Sequence, residues 1–280
     1  MSTHNNLTAS TTALMVAAYR ARATAAPDAI CDDPWAAALA GARGEAAATR
    51  FDQAFPHMTL WMAVRTAFID RKARAWLDSG ESQVVLLGAG MDTRAARLAR
   101  PGARFFEVDQ GATQAVKRER VAALDGYPAE AAAFVRCDFE REDFLEQLTA
   151  AGFDAARPAL FIWEGVTYYL SEAAVRATLT RLGEGASPDS VVLFDHFGKA
   201  MVRPPEEGSA RDTSQALSGM GEPVRFGTNN PLPLLHGAGF RHVLSVSFEQ
   251  ACLALTGTWE RERAFRFQWM VQASVRRPLF

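Results

Sequence analysis

Gln83-Val84-Val85-Leu86-Leu87-Gly88-Ala89-Gly90-Met91-Asp92-Thr93-Arg94 is the stretch on which the reading of this chain turns. Gln83–Leu87 is aliphatic enough to predict a strand buried on both faces. Gly88 and Gly90 predict a tight turn, and a helical pattern follows near Thr93–Arg100. Glycine at the carboxyl end of a strand lets the backbone approach a ligand closely. A bare G-x-G also serves ordinary βα turns, so its weight depends on what surrounds it. The next apolar run, Arg104–Val108, predicts a second strand, with Glu107 and Asp109 at its end. Asp109 lies 19 residues beyond Gly90, a spacing that suits an acid to ribose hydroxyls.

Working outward, short apolar runs alternate with helical patterns. Strands are predicted at Ala133–Arg136, Ala159–Ile162 and Val191–Phe194. Helices are predicted at Ala112–Leu124, at Asp143–Ala151 and from Ser171 onward. This alternation implies an α/β fold built of βαβ units with a mostly parallel sheet. Residues 198–233 break the rhythm with Pro204, Pro205, Gly208, Gly219, Gly221, Pro223, Gly227, Pro231 and Pro233, and read as an irregular insertion and a candidate lid. A short helix at Leu232–Ala238 follows. Strands at His242–Phe248 and Phe265–Ala273, separated by a helix near Glu249–Leu255, would form an antiparallel edge. Residues 11–80 read as helical. The clearest helix, Thr59–Asp78, places Trp61, Phe68 and Trp76 on an apolar face. The expected organisation is a single domain over 1–280, with a helical N-terminal cap (1–80) on an α/β core (81–280).

Composition excludes several classes. The chain has 280 residues, 49% of them hydrophobic, and a formal net charge of −2. It is long enough for a large core and too apolar for disorder. No run of about 18 apolar residues is present, so no membrane span is expected. Thr11–Ala18 is followed by Arg20 and Arg22 and lacks a basic leader, unlike a signal peptide. Cys31, Cys137 and Cys252 are odd in number and far apart, which points to a reducing, cytoplasmic setting without a disulfide framework. No Cys/His cluster has zinc-ligand spacing, so no metal is expected. Only Lys72, Lys117 and Lys199 are lysines, leaving 27 of 30 cationic residues as arginine. The 32 acids offset them and no basic run stands out, which argues against a nucleic-acid partner. The excess of arginine reads as composition. The oligomeric state is left open.

The strand ends indicate the ligand. A dinucleotide fingerprint wants a third glycine where this chain has Thr93, preceded by Asp92, and an acid there opposes a pyrophosphate. Acids recur in Cys137-Asp138-Phe139 and Trp163-Glu164-Gly165. Carboxylates along the carboxyl edge of a parallel sheet suit a ligand with hydroxyls, an amino group and positive charge. S-adenosyl-L-methionine has a ribose diol, an α-ammonium and a sulfonium, and fits better than NAD(P). Arg65 shares the predicted helix with Trp61, Phe68 and Ile69. A buried cation there needs an anionic partner, such as the methionine carboxylate of the cofactor, and the bland reading is a snorkelling arginine.

These segments resemble the leucine carboxyl methyltransferase family, including natural-product and mycobacterial relatives. The resemblance is carried by Thr12-Ala13-Leu14, Asp32-Asp33-Pro34-Trp35-Ala36, Arg65-Thr66 with Ile69-Asp70, and Leu87–Arg94. It continues through Phe106–Asp109, Asp138-Phe139 and Glu164–Leu170. It implies a class I, Rossmann-like S-adenosyl-L-methionine methyltransferase with a seven-stranded sheet. It further implies that Arg65 binds the cofactor carboxylate, that Gly88 and Gly90 pass beneath the methionine part, and that Asp109 holds the ribose. Asp138 and Phe139 would frame the adenine, Glu164 would face the methionine end, and Tyr169 would lie near the methyl-transfer site. Many relatives have proline after the ribose acid, where this chain has Gln110.

The expected activity is O-methylation of a small molecule, with S-adenosyl-L-homocysteine as the second product and a place in secondary metabolism. A carboxylate acceptor is favoured, because it is already ionised near neutral pH. A phenolic acceptor of an aromatic or polyketide product would need a base. His57, Tyr168, Tyr169 and His196 are the candidates. Tyr169, and His196 after the fifth strand, are the catalytic choices. A non-catalytic cofactor-binding protein is the reading from another class. The acceptor pocket is expected to draw on the cap and on 198–233. Trp35, Trp61, Phe226 and Trp259 are either its apolar lining or core.

Overall fold

A computed structural model describes residues 10–258 and 266–279. Trp259 and Phe265, named above, lie outside the described residues. In chain order the elements are α1 (Thr11–Thr24), α2 (Ala36–Phe51), α3 (Met58–Asp78), β1 (Gln83–Leu87), α4 (Arg94–Arg97), β2 (Arg104–Asp109) and α5 (Gly111–Ala122). There follow β3 (Ala132–Arg136), α6 (Phe144–Ala150), β4 (Ala159–Trp163), α7 (Glu172–Gly185), β5 (Val191–Phe197), α8 (Lys199–Val202) and α9 (Ser209–Gly219). The chain continues through α10 (Leu232–Gly237), β6 (His242–Ser247), α11 (Phe248–Thr256) and β7 (Gln268–Ser274).

The strands form one seven-stranded sheet in the order β3-β2-β1-β4-β5-β7-β6. β1 to β5 are parallel, and β7 pairs antiparallel with both β5 and β6. The order reverses between β1 and β4. At such a switch point the two connections leave on opposite faces and open a crevice at the carboxyl ends of the strands.

Both faces are covered. Phe144 and Leu148 of α6, Val175, Leu179 and Leu182 of α7 and Leu235 of α10 pack on one face with Phe106, Phe161 and Trp163. On the other face, Ile69, Ala73 and Trp76 of α3 pack on Val84, Leu86, Leu160 and Leu193. The amino-terminal half of α3 instead joins α1 and α2, where Met62 and Val64 sit with Leu14, Leu39 and Phe51. α3 thus belongs to both the cap and the sheet layer. Among the described residues, no helix is long and apolar enough to cross a membrane.

Three expectations shift. α4 spans only Arg94–Arg97 rather than Thr93–Arg100, because Pro101 disfavours helix in the residue before it. β5 runs on to Phe197, since Asp195, His196 and Phe197 keep pairing with Met270, Trp269 and Gln268. The insertion is more regular than its composition indicates. Ser209–Gly219 has no proline and no glycine before its last residue, so the punctuation flanks a helix instead of interrupting it. Met201, Leu217 and Val224 bury themselves against the cap, and Phe226 enters the core on the far face.

Candidate active site

A cavity of about 420 Å³ opens at the switch point, lined by the carboxyl ends of β1 to β4, by α1 and by the 220–225 segment. Its size falls in the usual range for small-molecule sites. The floor is the Gly88-Ala89-Gly90 turn. Gly88 (φ 69°) and Gly90 (φ 50°) adopt the left-handed region, where a side chain would be strained. A Cβ on Gly88 would also run into Val166. The turn is stapled to β2: the Gly88 and Ala89 N–H groups donate to Val108 O, and Gly90 N–H donates to Asp109 Oδ2.

Asp109 lines this cavity. Burial pushes its carboxyl up, opposed by the N–H groups of Gly90 and Gln110. Both oxygens are held from behind by backbone donors, which orients the carboxylate and leaves lone pairs for further donors. Asp138 and Phe139, from the end of β3, line the same space. Phe139 is half-buried and packs near Phe144 and Trp163, with centroids 6.0 and 6.4 Å away.

Arg65 and Glu164 also line the cavity, and here the structure adds what spacing does not show. Arg65 is only 2% exposed, so it is not a snorkelling side chain. Its Nε donates to Glu164 Oε1 at 2.7 Å, and its Nη1 to Tyr168 Oη at 3.1 Å and Asp195 Oδ2 at 3.2 Å. Nη2 points at Met62 Sδ, 3.3 Å away, a weak acceptor. The second Glu164 oxygen accepts from Arg94. Arg94 pairs in turn with Asp92 and Asp70, Arg97 reaches Asp70 and Asp33, and Arg20 closes on Asp33.

Asp33, Asp70, Arg94 and Arg97 therefore form a buried chain of alternating charge behind the cavity. Asp33, Asp70 and Arg94 belong to the Asp32–Ala36, Ile69-Asp70 and Leu87–Arg94 segments quoted above, and Arg97 lies one turn further on. Burial drives Asp92 up, but Arg94, with Arg20 and Lys117, outweighs this and holds it at about 2. Glu164 is likewise pulled below the usual range, because Arg94 and Arg65 outweigh its burial. Asp92 is therefore a neutralised anion, and the acids at this edge have two roles. Asp109 faces the cavity with backbone donors as its hydrogen-bond partners and Asp138 has a loose pair with exposed Arg141 at 3.8 Å, while Glu164 and Asp92 are largely committed to arginine. Glu107, two residues before Asp109 on β2, is not among the residues lining the cavity and pairs with Lys117.

The two catalytic candidates separate. Tyr169 lines the cavity. Burial, and the nearby Tyr168 and Glu222, push its phenol well above 10, so it is a donor and not a base at neutral pH. His196 is a correction: it does not line the cavity. Along β5, Asp195 turns toward Arg65 and the Gly165 N–H, so its neighbour points to the opposite face. There His196 is 1% exposed and stacks on Trp269 with centroids 5.6 Å apart. Burial lowers its pKa to about 4 against a weaker opposing effect from Phe197 O. His57 is exposed at the start of α3, outside the lining, and Tyr168 is buried against Arg65. Trp61 and Phe226 are core residues, and Trp35 packs edge-on against Tyr127.

A buried neutral histidine leaves a pH signature. Below about 6.5 the unfolded chain takes up a proton that native His196 refuses until about 4. Its contribution to stability is therefore present above about 6.5 and is lost as pH falls toward 4, on the order of 3 kcal/mol in total. The expected result for His196→Phe is a flatter Tm-versus-pH curve between pH 6.5 and 4, with turnover within about twofold of wild type. A 100-fold loss of turnover would return His196 to the mechanism.

Among the cavity residues that sequence reasoning missed, three carry charge and stand out: Arg20, Glu222 and Arg225. Arg20 was visible only as a break in an apolar run. Glu222 and Arg225 sit in the insertion, where no local pattern marks them. Glu222 accepts a hydrogen bond from Ser10 at 2.5 Å, and Arg225 pairs with Glu140 at 3.1 Å.

The donor set fits S-adenosyl-L-methionine. The glycine turn leaves room that a Cβ would fill, Asp109 is aimed for a diol, and Phe139 offers an apolar edge for a base. With this strand order, they define a class I methyltransferase fold with a site for that cofactor at its switch point. A family model described as "Leucine carboxyl methyltransferase" matches residues 13–183. A protein of Mycolicibacterium vanbaalenii named "Putative S-adenosyl-L-methionine-dependent methyltransferase" is 33% identical over 273 residues, covering 91% of this chain and 86% of that one. Among solved structures, a Thermobifida fusca protein (TM-score 0.65, 95% of both chains) and a DUF574 protein of Streptomyces avermitilis (TM-score 0.63, 94% and 97%) are similar. At 14% identity, those two show the fold alone. The chain belongs to the leucine carboxyl methyltransferase family and is an S-adenosyl-L-methionine-dependent methyltransferase.

Proposed function

We propose that this enzyme methylates the carboxylate of a small-molecule acid and releases a methyl ester with S-adenosyl-L-homocysteine. The observation that carries this reading is Tyr169. It is the phenol lining the cavity and is held protonated, so it can donate a hydrogen bond to an acceptor oxygen but cannot take a proton from one. Among the described lining residues there is no histidine. A carboxylate needs no proton removed. The family's name favours the same acceptor class.

S-adenosyl-L-methionine, when bound, supplies an electrophilic methyl group on a good leaving sulfonium. The protein's share is then alignment and exclusion of water, effects that can supply up to roughly 7–11 kcal/mol. Asp109 would hold the ribose, Asp138 and Phe139 the adenine edge. Arg65, fixed on one side by Glu164 and Asp195, would present Nη2 to the methionine carboxylate. α1 and residues 220–225 cover the cavity and would shield it from water. A place in secondary metabolism is part of this proposal and rests on the resemblance to natural-product relatives. Cys31, Cys137 and Cys252, buried and outside any disulfide, support a reducing compartment.

A phenolic acceptor is the second reading, favoured by half-buried Glu222 on the cavity wall as a base. The discriminating measurement is kcat across pH 6–8 with aryl acids and matched phenols. An acid acceptor should show kcat constant within about twofold. A rate confined to phenols and lost in Glu222→Gln would replace the carboxylate reading. Cofactor binding without turnover on either class would support a non-catalytic role.

A further inference from the structure

Lys117 is 1% exposed and is not among the residues lining the cavity. It stands on the buried stripe of α5 with Thr113, Gln114 and Val121, where packing alone would take an apolar side chain. Its Nζ donates to Glu107 Oε2 of β2 at 2.5 Å. It also donates to the backbone carbonyl of Asp92, at the carboxyl end of the turn that floors the cavity. A buried ion pair adds little net stability over well-packed apolar residues. The Glu107 pair therefore does not by itself account for an ammonium here, whereas the second bond ties α5 to the cavity floor.

The two halves of the Gly88–Asp92 turn are held differently. The amino half is fastened to β2, through the Gly88 and Ala89 N–H groups on Val108 O and Gly90 N–H on Asp109. At the carboxyl half, buried cations grip successive backbone carbonyls: Arg20 of α1 takes Met91 O, and Lys117 takes Asp92 O. Such charge-assisted hydrogen bonds are roughly twice as strong as neutral ones. The Asp92 side chain leads through Arg94 and Glu164 to Arg65, so this half of the turn belongs to the methionine end of the cavity. Asp109, Asp138 and Phe139 lie toward β2 and β3, on the other side of β1 from Glu164.

We propose that Lys117 is a positioning residue: by holding the Asp92 carbonyl it sets where the carboxyl half of the turn lies against the methionine part of S-adenosyl-L-methionine. The inference rests on the cofactor orientation given above and holds for either class of acceptor.

The probes are S-adenosyl-L-homocysteine and 5′-methylthioadenosine, which keeps the nucleoside and lacks the amino-acid part. Each is titrated into the full chain by calorimetry, with melting curves alongside. Wild type should prefer S-adenosyl-L-homocysteine by about tenfold or more. Lys117→Met should weaken S-adenosyl-L-homocysteine about 30-fold and 5′-methylthioadenosine by no more than about threefold, because the amino half of the turn keeps its own ties to β2. Its Tm should fall on the order of 10 °C, since Glu107 is left stranded. Glu107→Gln breaks the same ion pair but leaves Lys117 an amide oxygen and the Asp92 carbonyl. It should lower Tm while keeping both affinities within about threefold of wild type. Lys117→Met combined with Glu107→Gln should recover most of the Tm and none of the lost S-adenosyl-L-homocysteine affinity, and it carries the test if Lys117→Met alone does not fold. The inference is overturned if that affinity returns with the Tm in the double variant, or if both probes weaken alike in Lys117→Met. It is also overturned if Glu107→Gln weakens S-adenosyl-L-homocysteine as much as Lys117→Met does. A wild type that binds the two probes equally would remove the methionine-end contact and overturn it as well, whichever acceptor is methylated.

Discussion

Asp109→Ala is expected to weaken S-adenosyl-L-homocysteine binding about 100-fold. The carboxylate stands at the end of β2, facing the cavity, with one oxygen fixed by Gly90 N–H and the other by Gln110 N–H. Charge-assisted hydrogen bonds contribute roughly 1.5–3 kcal/mol each, and a ribose diol can donate two. The substitution removes both and leaves Gly90 N–H without its acceptor at the floor of the site. Asp109→Asn keeps one oxygen acceptor and should lose only about tenfold. Asp109 packs no large side chain, so Tm without cofactor should move by no more than a few degrees in either variant. Calorimetric titration and melting curves separate the two effects. Unchanged affinity in Asp109→Ala would remove this residue from the ribose site.

Arg65→Ala is expected to do the reverse, damaging the fold as well as binding. Arg65 stands between Glu164 and Asp195, both almost wholly shielded from water. Burial alone would lower its pKa, but Glu164, Tyr168 and Asp195 raise it, so it stays charged. Removing one partner of a buried ion pair costs roughly 3–5 kcal/mol, because the remaining charge is stranded. In a chain of this size, that corresponds to a Tm drop on the order of 10 °C. Arg65→Lys should recover only part of the loss, since an ammonium cannot reach several acceptors in the planar fork of a guanidinium. Pairing Arg65→Met with Glu164→Gln should restore some stability by removing a stranded carboxylate, but not cofactor binding. Additive losses in that double-mutant cycle would mean the two residues are not energetically coupled.

The contrast between these two residues shows how far the sequence could be read. Asp109 was legible because its position depends on local features: a strand period, a glycine turn and a fixed spacing to the next strand end. The same locality explains why all seven strands were anticipated, most of them to within a few residues. His196 was misplaced for a local reason as well. Proximity to the end of β5 suggested the site edge, but alternation along an extended strand turned its ring to the other face, beside Phe194 and Trp269. α9 was missed because proline and glycine counts describe a segment's ends as strongly as its interior.

The arginines show the other limit. Their number read as composition, yet Arg20, Arg65, Arg94 and Arg97 form the cationic half of a buried network. Its members come from α1, the loop before α2, α3, α4 and the ends of β4 and β5. The sequence by itself determined the sheet, the glycine turn and the acids that end its strands, since periodicity and turn chemistry act over a few residues. Only the tertiary structure decided which of those acids face the cavity without an arginine partner and which are neutralised by one. That choice depends on Coulomb partners up to 130 residues away in the chain, as between Arg65 and Asp195, and on exclusion of water that no local pattern records.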